Sequence, residues 1–236
     1  MQTADPPRTP TYTLFPKPDY YFATSGPNVS INSGFAYNHG YYSPNINVTW
    51  AAMAGPGLAV RGVDGPQPAG GNQPNDPNPR NTVPQASTVG TWVEETDLRP
   101  TLLHLLGLRD DYQTDGRVIT QALASPSAAL TGVQELAAGY QQINSRVGQF
   151  ATDTLIAECN ALASGSRNGD DHGYLAEQAI LTGLANDRDA AAAKIKKLLS
   201  DAAAGVVAGP GSVLTGLALV RELLIRAHVL AGLTWR

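Results

Sequence analysis

The chain has 236 residues and 17 prolines, with a formal net charge of −4 and a pI near 5.5. The acidic balance and the lack of a basic run give no indication of nucleic-acid binding. No stretch of 18 apolar residues is present, so the sequence predicts no membrane span. A single cysteine, Cys159, excludes an internal disulfide framework and a four-cysteine zinc site.

Composition divides the chain into two parts. Residues 1–117 hold most of the prolines and aromatic residues, whereas residues 118–236 are rich in alanine and leucine and contain only Pro126 and Pro210. We therefore predict one domain over residues 1–120 and a second over residues 121–236.

The first part contains segments with the composition of β-strands. TYTLF (11–15) and DYYFAT (19–24) are rich in aromatic and β-branched residues and predict short strands. TWAAMAGPG (49–57) predicts a buried strand that ends in a glycine turn. Residues 64–90 predict a loop, because they are mostly proline, glycine and asparagine with almost nothing apolar to bury.

A short helix is predicted after this loop, in TDLRPTLLHLLGL. Thr96 or Asp97 would cap it, Pro100 suits a first turn, and Gly107 would end it. We expect its leucines to pack it onto a sheet: Leu102, Leu103, Leu105 and Leu106. A strand, a long loop and a helix in this order indicate an α/β core.

The second part shows helical periodicity. Apolar residues recur every three or four positions along residues 130–162, then again along 174–204 and 214–230. Turn-forming residues at 164–173 and 205–211 separate these stretches. The predicted fold class is thus an α/β core followed by an all-α tail of about three helices, arranged as a bundle or hairpin.

His39 is the first candidate for site chemistry, within FAYNHGYYS (35–43). A neutral imidazole is a common zinc ligand, but zinc needs three or four ligands. Asp19, Asp64 and Asp97 have no ligand-like spacing to His39, so the residues alone favour a surface or hydrogen-bonded loop histidine.

Two acidic clusters are further candidates. Residues 94–97 (Glu-Glu-Thr-Asp) could bind a divalent cation or act in acid–base catalysis, although their simpler role is to favour the positive end of the following helix. Residues 110–111 and 115–117 form a polar loop, for which we predict a turn with a local Asp–Arg pair rather than catalysis.

The remaining reactive side chains suggest no complete catalytic set. His104 lies in a leucine run and is predicted to be a packed or hydrogen-bonded helix residue. His172 falls in a turn and His228 on the last helix, and sequence alone gives neither a partner. Cys159 is predicted to be an inert small hydrophobe on a helix. No serine of the first part lies in a nucleophile elbow.

Three segments, taken in order, resemble a known family. They are residues 11–22, 31–65 and 90–119, and they contain a His-Gly loop, Gly-Pro-Gly, Thr-Asp-Leu-Arg-Pro-Thr and Asp-Gly-Arg. Together they resemble the C-terminal part of bacterial phosphoesterases of the alkaline phosphatase superfamily, which includes type I phosphodiesterases/nucleotide pyrophosphatases and sulfatases. The resemblance covers about half of the chain, and residues 141–155 are similar to the helical tail of some members.

The resemblance implies a metal ligand at His39. Enzymes of this family hold two divalent metals, often zinc, and a serine or threonine attacks the phosphorus. One histidine ligand lies in a late His-Gly loop, and His39 matches that position. The nucleophile and most ligands would lie upstream of the matched segments. Where relatives read Asp-His-Thr-Asp, residues 94–97 of this chain read Glu-Glu-Thr-Asp.

The expected function is therefore that of the C-terminal portion of a metal-dependent phosphoric or sulfuric ester hydrolase. The resemblance implies a divalent metal, such as zinc, only in a complete parent protein, with the missing N-terminal half of the fold as partner and a phosphate ester as small-molecule ligand. Alone, the chain is expected to be inactive. The alternative is a split or degenerate family member that acts as a binding module through its helical tail. The resemblance also implies a secreted or periplasmic protein, although residues 1–16 lack the apolar core of a signal peptide.

Overall fold

The computed structural model describes residues 51–59, 93–112, 114–145, 148–168 and 172–233. Within these ranges every regular element is helical, and the β pairing consists of one isolated antiparallel bridge between Leu58 and Leu123. The elements are α1 (Glu95–Leu105), a 3-10 turn (Thr120–Ala122), α2 (Ala128–Gly132), α3 (Gln134–Asn144), α4 (Gln149–Asn168), α5 (His172–Ala203) and α6 (Pro210–Leu230).

The predicted α/β class is wrong, because the described part of the chain is all-α. Residues 51–57, which belong to the predicted strand TWAAMAGPG, form irregular backbone and a turn. The glycine turn predicted at the end of this segment is present, with φ angles of 150° at Gly55 and 84° at Gly57. The strand itself is absent from residues 51–54, which form irregular backbone. The predicted strands at 11–15 and 19–24 lie outside the described residues, as does the 64–90 loop.

Helix α1 forms where a helix was predicted, but it meets no sheet in the described residues. Leu102 and Leu106 are 52% and 68% exposed, while Leu105 packs against the helical core. Gly107 ends the helix as predicted, with a φ of 65°. Its N–H donates to the His104 carbonyl at 3.1 Å, in the pattern of a Schellman motif.

Helices α3, α4, α5 and α6 pack together into a bundle. Its most deeply buried large apolar side chains are Leu136 and Ile143 on α3 and Leu184 and Ile195 on α5, each at most 1% exposed. Helix α6 adds Leu223. Full burial of each side chain contributes about 1.5–3 kcal/mol, so this cluster holds the described fold together.

Glycines let α3 and α6 approach closely. A Cβ atom on Gly216 would lie 2.7 Å from Cδ1 of Leu136, and one on Gly139 would lie 3.2 Å from Cγ1 of Val220. Small residues at these positions therefore bring the two helix backbones together, and the larger side chains of the opposite helix fill the space.

The helical tail has more helices than predicted. The sequence shows one continuous helical periodicity over residues 130–162, but this stretch is divided among α2, α3 and α4. At the last break, a Cβ on Gly148 would lie 2.5 Å from the Gln142 carbonyl oxygen, so the turn folds directly onto the end of α3. The predicted helix at 174–204 is observed as α5, and that at 214–230 lies within α6. The predicted turn at 164–173 is shorter than expected, because α4 continues to Asn168. Among the described helices, none combines the length and apolar content needed to cross a bilayer.

Candidate functional site

The acidic cluster at 94–97 forms the start of α1. Glu94 is the N-cap residue, with an extended backbone, and Glu95 and Asp97 lie in the first turn. The Glu94 N–H donates to Oδ2 of Asp97 at 3.1 Å. Negative charge here faces the positive end of the helix dipole, so the helix-end interpretation of this cluster is confirmed.

Asp97 also receives hydrogen bonds from distant parts of the chain. The Arg117 N–H donates to Oδ1 at 2.8 Å, and Nε2 of Gln141 donates to Oδ2 at 3.4 Å. The Asp97 residue is only 2% exposed. With the Glu94 N–H, three donors of the protein replace the water that a carboxylate would otherwise bind.

Thr101 extends this arrangement by one turn of α1. Its hydroxyl donates to the Asp97 carbonyl oxygen at 2.7 Å and accepts from the Ile119 N–H at 2.9 Å. Thr101 is fully buried. The segment after residue 115 is therefore fastened to α1 at two successive turns.

Pro100 explains how that segment comes so near. Proline has no N–H, so the Thr96 carbonyl lacks its normal helical donor four residues later. The Thr114 hydroxyl donates to this carbonyl oxygen at 3.4 Å. Gly116 lies against the same peptide, since a Cβ there would be 1.9 Å from the Thr96 oxygen. We call the contacts of Thr96, Asp97 and Thr101 with residues 114–119 the Asp97 latch.

The latch is tied to the helical bundle through α3 and α5. The Tyr140 hydroxyl donates to the Asp115 carbonyl oxygen at 3.0 Å and accepts from Nδ2 of Asn144 at 3.0 Å. Nζ of Lys196 lies 2.8 Å from Oδ1 of Asp115. The Ser145 hydroxyl donates to the Glu94 carboxylate. Residues of the predicted core segment and the predicted tail thus share one polar network.

Tyr140 makes this network sensitive to alkaline pH. Burial, reinforced by the Asp115 carboxylate, raises the pKa of Tyr140 above its ordinary value of 10.0. The folded protein therefore keeps the phenolic proton at a pH where the unfolded chain loses it. We expect the free energy of unfolding to fall as pH rises above about 10, and Tyr140→Phe to remove that part of the fall. Urea denaturation of both proteins between about pH 8 and 11, a range that spans the ordinary tyrosine pKa, measures the difference. Parallel curves of unfolding free energy against pH for the two proteins would contradict this expectation.

The described residues do not fit a metal centre. In those ranges no group of three or more histidine, cysteine, aspartate or glutamate side chains is arranged to hold a metal ion. Asp97 has both carboxylate oxygens engaged by N–H donors. The predicted metal ligand, His39, lies outside the described residues.

The other histidines are placed on helices. His104 is hydrogen bonded as predicted, with Nδ1 3.1 Å from the Ala203 carbonyl oxygen. His172 is exposed at the start of α5. His228 has a partner that sequence reasoning missed: its Nδ1 lies 3.1 Å from Oδ2 of Asp153, joining α6 to α4.

A signal for the Asp153–His228 contact was present in the sequence. Asp153 lies three residues after Phe150 and four before Ala157, and all three are buried. An acidic residue on the apolar side of a helical pattern needs a polar partner inside the protein. Searching the other apolar faces for that partner would have led to His228.

In the described residues, the salt bridges of Asp110 and Asp115 are made with basic residues on α1 and α5 rather than within the loop. Asp110 pairs with Arg99, and the salt bridge of Asp115 is made with Lys196. The Arg117 guanidinium donates to the Val118 carbonyl oxygen at 3.2 Å and to Oε1 of Gln121 at 3.1 Å. The two salt bridges hold the loop against α1 and α5, whereas the Arg117 contacts lie within the loop and the following 3-10 turn. Cys159, on α4 as predicted, is exposed.

Comparison with known proteins adds no assignment to this geometry. No family model matches the chain, and neither curated proteins nor solved structures yield a match. The resemblance to phosphoesterases rests on sequence motifs alone, and two of those motifs, Thr-Asp-Leu-Arg-Pro-Thr and Asp-Gly-Arg, build the Asp97 latch.

Proposed function

We propose that the chain is the C-terminal portion of a metal-dependent phosphoric or sulfuric ester hydrolase, and that its described helices are a non-catalytic support for that enzyme. The motif resemblance supports the first statement. The observation that carries the second is the buried Asp97 carboxylate, which accepts from Glu94, Arg117 and Gln141. The Asp97 carboxylate oxygens, which would have to bind a metal ion, accept these hydrogen bonds instead and so join α1 to the chain around it.

In this proposal, the described residues hold α1 and the segment that follows it in a fixed position. The Asp97 latch fixes α1 against residues 114–119, and Tyr140 and Lys196 fix both to the bundle. In a complete enzyme, bound metal ions would stabilise the charge that develops on the ester oxygens. His39 is the residue of this chain that would take part, with its co-ligands and the nucleophile supplied from outside the described residues.

The test is hydrolysis by the chain with and without the polypeptide encoded directly upstream. The substrates are p-nitrophenyl phosphate, its bis-ester and p-nitrophenyl sulfate, each with added zinc. We expect the chain alone to hydrolyse none of them above a His39→Ala control. Co-expression with the upstream polypeptide is expected to yield hydrolysis of at least one ester, because it would complete the ligand set.

His39→Ala should abolish the activity of the combined proteins, whereas His172→Ala, at an exposed position on α5, serves as the matched control and should retain it. Hydrolysis by the isolated chain above the His39→Ala level would refute its inactivity alone. If the combined proteins hydrolyse none of the three esters, or are unaffected by His39→Ala, the hydrolase proposal fails.

A second candidate, a binding module, is favoured by a groove between α5 and α6. Ile180, Leu184, Ile225 and Val229 line it, and its volume is about 280 Å³. Three of these side chains are 39–64% exposed, which leaves apolar surface available to a partner. The same assay separates the two candidates, since the module requires no hydrolysis in any combination.

A further inference from the structure

Helix α1 carries an apolar surface on the side away from the Asp97 latch contacts. It consists of Leu102 and the C-cap residue Leu106, which are 52% and 68% exposed, and Leu108 just past the helix end is 56% exposed as well; we call these three residues the α1 leucine face. Leu102 and Leu106 lie one helical turn apart, so their side chains are neighbours. Together they present apolar side chains that another segment can cover.

The chain outside the described residues joins the structure beside this face. Residues 1–50 precede Ala51, and the stretch 51–59 that follows meets α1 at Gly57. A Cβ on Gly57 would lie 3.0 Å from Cδ2 of Leu105. The Ala59 N–H donates to the Ala122 carbonyl oxygen, and the Ala124 N–H donates to the Gly57 carbonyl oxygen, both at 2.9 Å.

These contacts anchor residues 57–59 beside α1, six residues after Ala51, where residues 1–50 end. Leu105 is on the same helix as Leu102 and Leu106 and within one turn of both. Since an extended chain spans at most about 3.3–3.6 Å per residue, the α1 leucine face is within reach of the residues that immediately precede Ala51.

Composition identifies which of the two long outer segments suits an apolar surface. Residues 1–50 contain ten of the 16 aromatic residues of the chain, including Phe35 and Trp50. Aromatic rings carry large apolar area that is stable only when covered. Residues 64–90, which leave from the other end of the same anchored strip, contain no aromatic residue and offer almost nothing apolar.

We propose that residues 11–50 of the same chain dock on the α1 leucine face. The anchored strip at 51–59 brings them to the helix, and their aromatic side chains cover the exposed leucines. The docking does not depend on ester hydrolysis, so it can hold or fail separately from the proposed function.

Photo-crosslinking of the full chain tests which segment occupies the face. p-Benzoylphenylalanine is placed at position 106 and, as a matched control, at position 155 on α4, where Leu155 is 58% exposed. From position 106 we expect crosslinks within one chain to peptides of residues 11–50, and from position 155 none to those peptides. Crosslinks between two chains would identify a second copy as the occupant and overturn the proposal. Crosslinks to residues 60–92, or none at all, would also overturn it.

Hydrogen exchange measured by mass spectrometry provides a second readout. Leu106→Glu places a charge in the face, and we expect amide exchange in peptides of residues 11–50 to rise by about tenfold or more. Leu155→Glu should leave that exchange at the wild-type rate. Unchanged exchange in α5 would show that the bundle of each variant is folded. Equal exchange of residues 11–50 in the two variants would overturn the proposal.

Discussion

Replacing Asp97 with alanine is expected to lower the free energy of unfolding by roughly 2–6 kcal/mol, because the N–H groups of Glu94 and Arg117 each lose their acceptor at about 1–3 kcal/mol. Gln141 loses its carboxylate partner as well. Urea denaturation followed by circular dichroism at neutral pH measures the change. The residue is 2% exposed, so water cannot readily take the place of the carboxylate.

Two further variants show whether the loss comes from the latch. Asp111→Ala removes an exposed carboxylate in the same segment and should change the free energy of unfolding by less than about 0.5 kcal/mol. Asp97→Asn keeps one acceptor oxygen but turns an amide group towards a donor, so we expect an intermediate loss. If Asp97→Ala were as mild as Asp111→Ala, the latch would not stabilise the fold.

Gly116→Ala is expected to be comparably destabilising for a different reason. The new methyl group would lie 1.9 Å from the Thr96 oxygen and 2.7 Å from the Asp97 nitrogen. Both atoms are backbone, so the clash is relieved only when the two segments move apart. We expect a loss of about 1–3 kcal/mol from overpacking, and a further loss of about 1–3 kcal/mol as the Arg117–Asp97 hydrogen bond lengthens. Thermal and urea denaturation both measure it.

Gly132→Ala is the matched control for this substitution. Gly132 ends α2, and a Cβ there would meet no other atom within 4 Å. Alanine also restricts the unfolded chain, so the control should be neutral or slightly stabilising. A Gly116→Ala protein as stable as Gly132→Ala would mean that the close approach to α1 is not required.

Helical periodicity in the sequence predicted helices correctly, whereas the strand-like composition of residues 51–54 wrongly predicted a strand. Helices α5 and α6 occur where apolar residues recur at helical spacing along residues 174–204 and 214–230. TWAAMAGPG predicts a strand that ends in a glycine turn; the turn is found at Gly55 and Gly57, but residues 51–54 before it form no strand. A strand needs a partner ladder as well as suitable residues, and local composition does not reveal that partner.

Only the part of the site that neighbouring residues form, at the start of α1, was predictable from the sequence. Residues 94–97 lie at a helix start, and the sequence indicated that role. The bond from Gln141 to Asp97 spans 44 residues, and that from His228 to Asp153 spans 75. Pairing at such separations depends on how the helices pack, which no periodicity within one helix encodes. Buried polar residues on apolar faces, such as Asp153 and Gln141, are the signal that such partners exist.

Pro100 determines how three other residues, Thr96, Thr114 and Gly116, pack together. By leaving the Thr96 carbonyl without a helical donor, it makes room for the Thr114 hydroxyl and for the bare α-carbon of Gly116. The arrangement can be written as a search pattern: aspartate, proline three residues later, and glycine-arginine beginning sixteen residues after the proline. Because the pattern follows from one backbone contact rather than from overall similarity, we expect a chain that carries it to bring its glycine against a proline-containing helix in the same way.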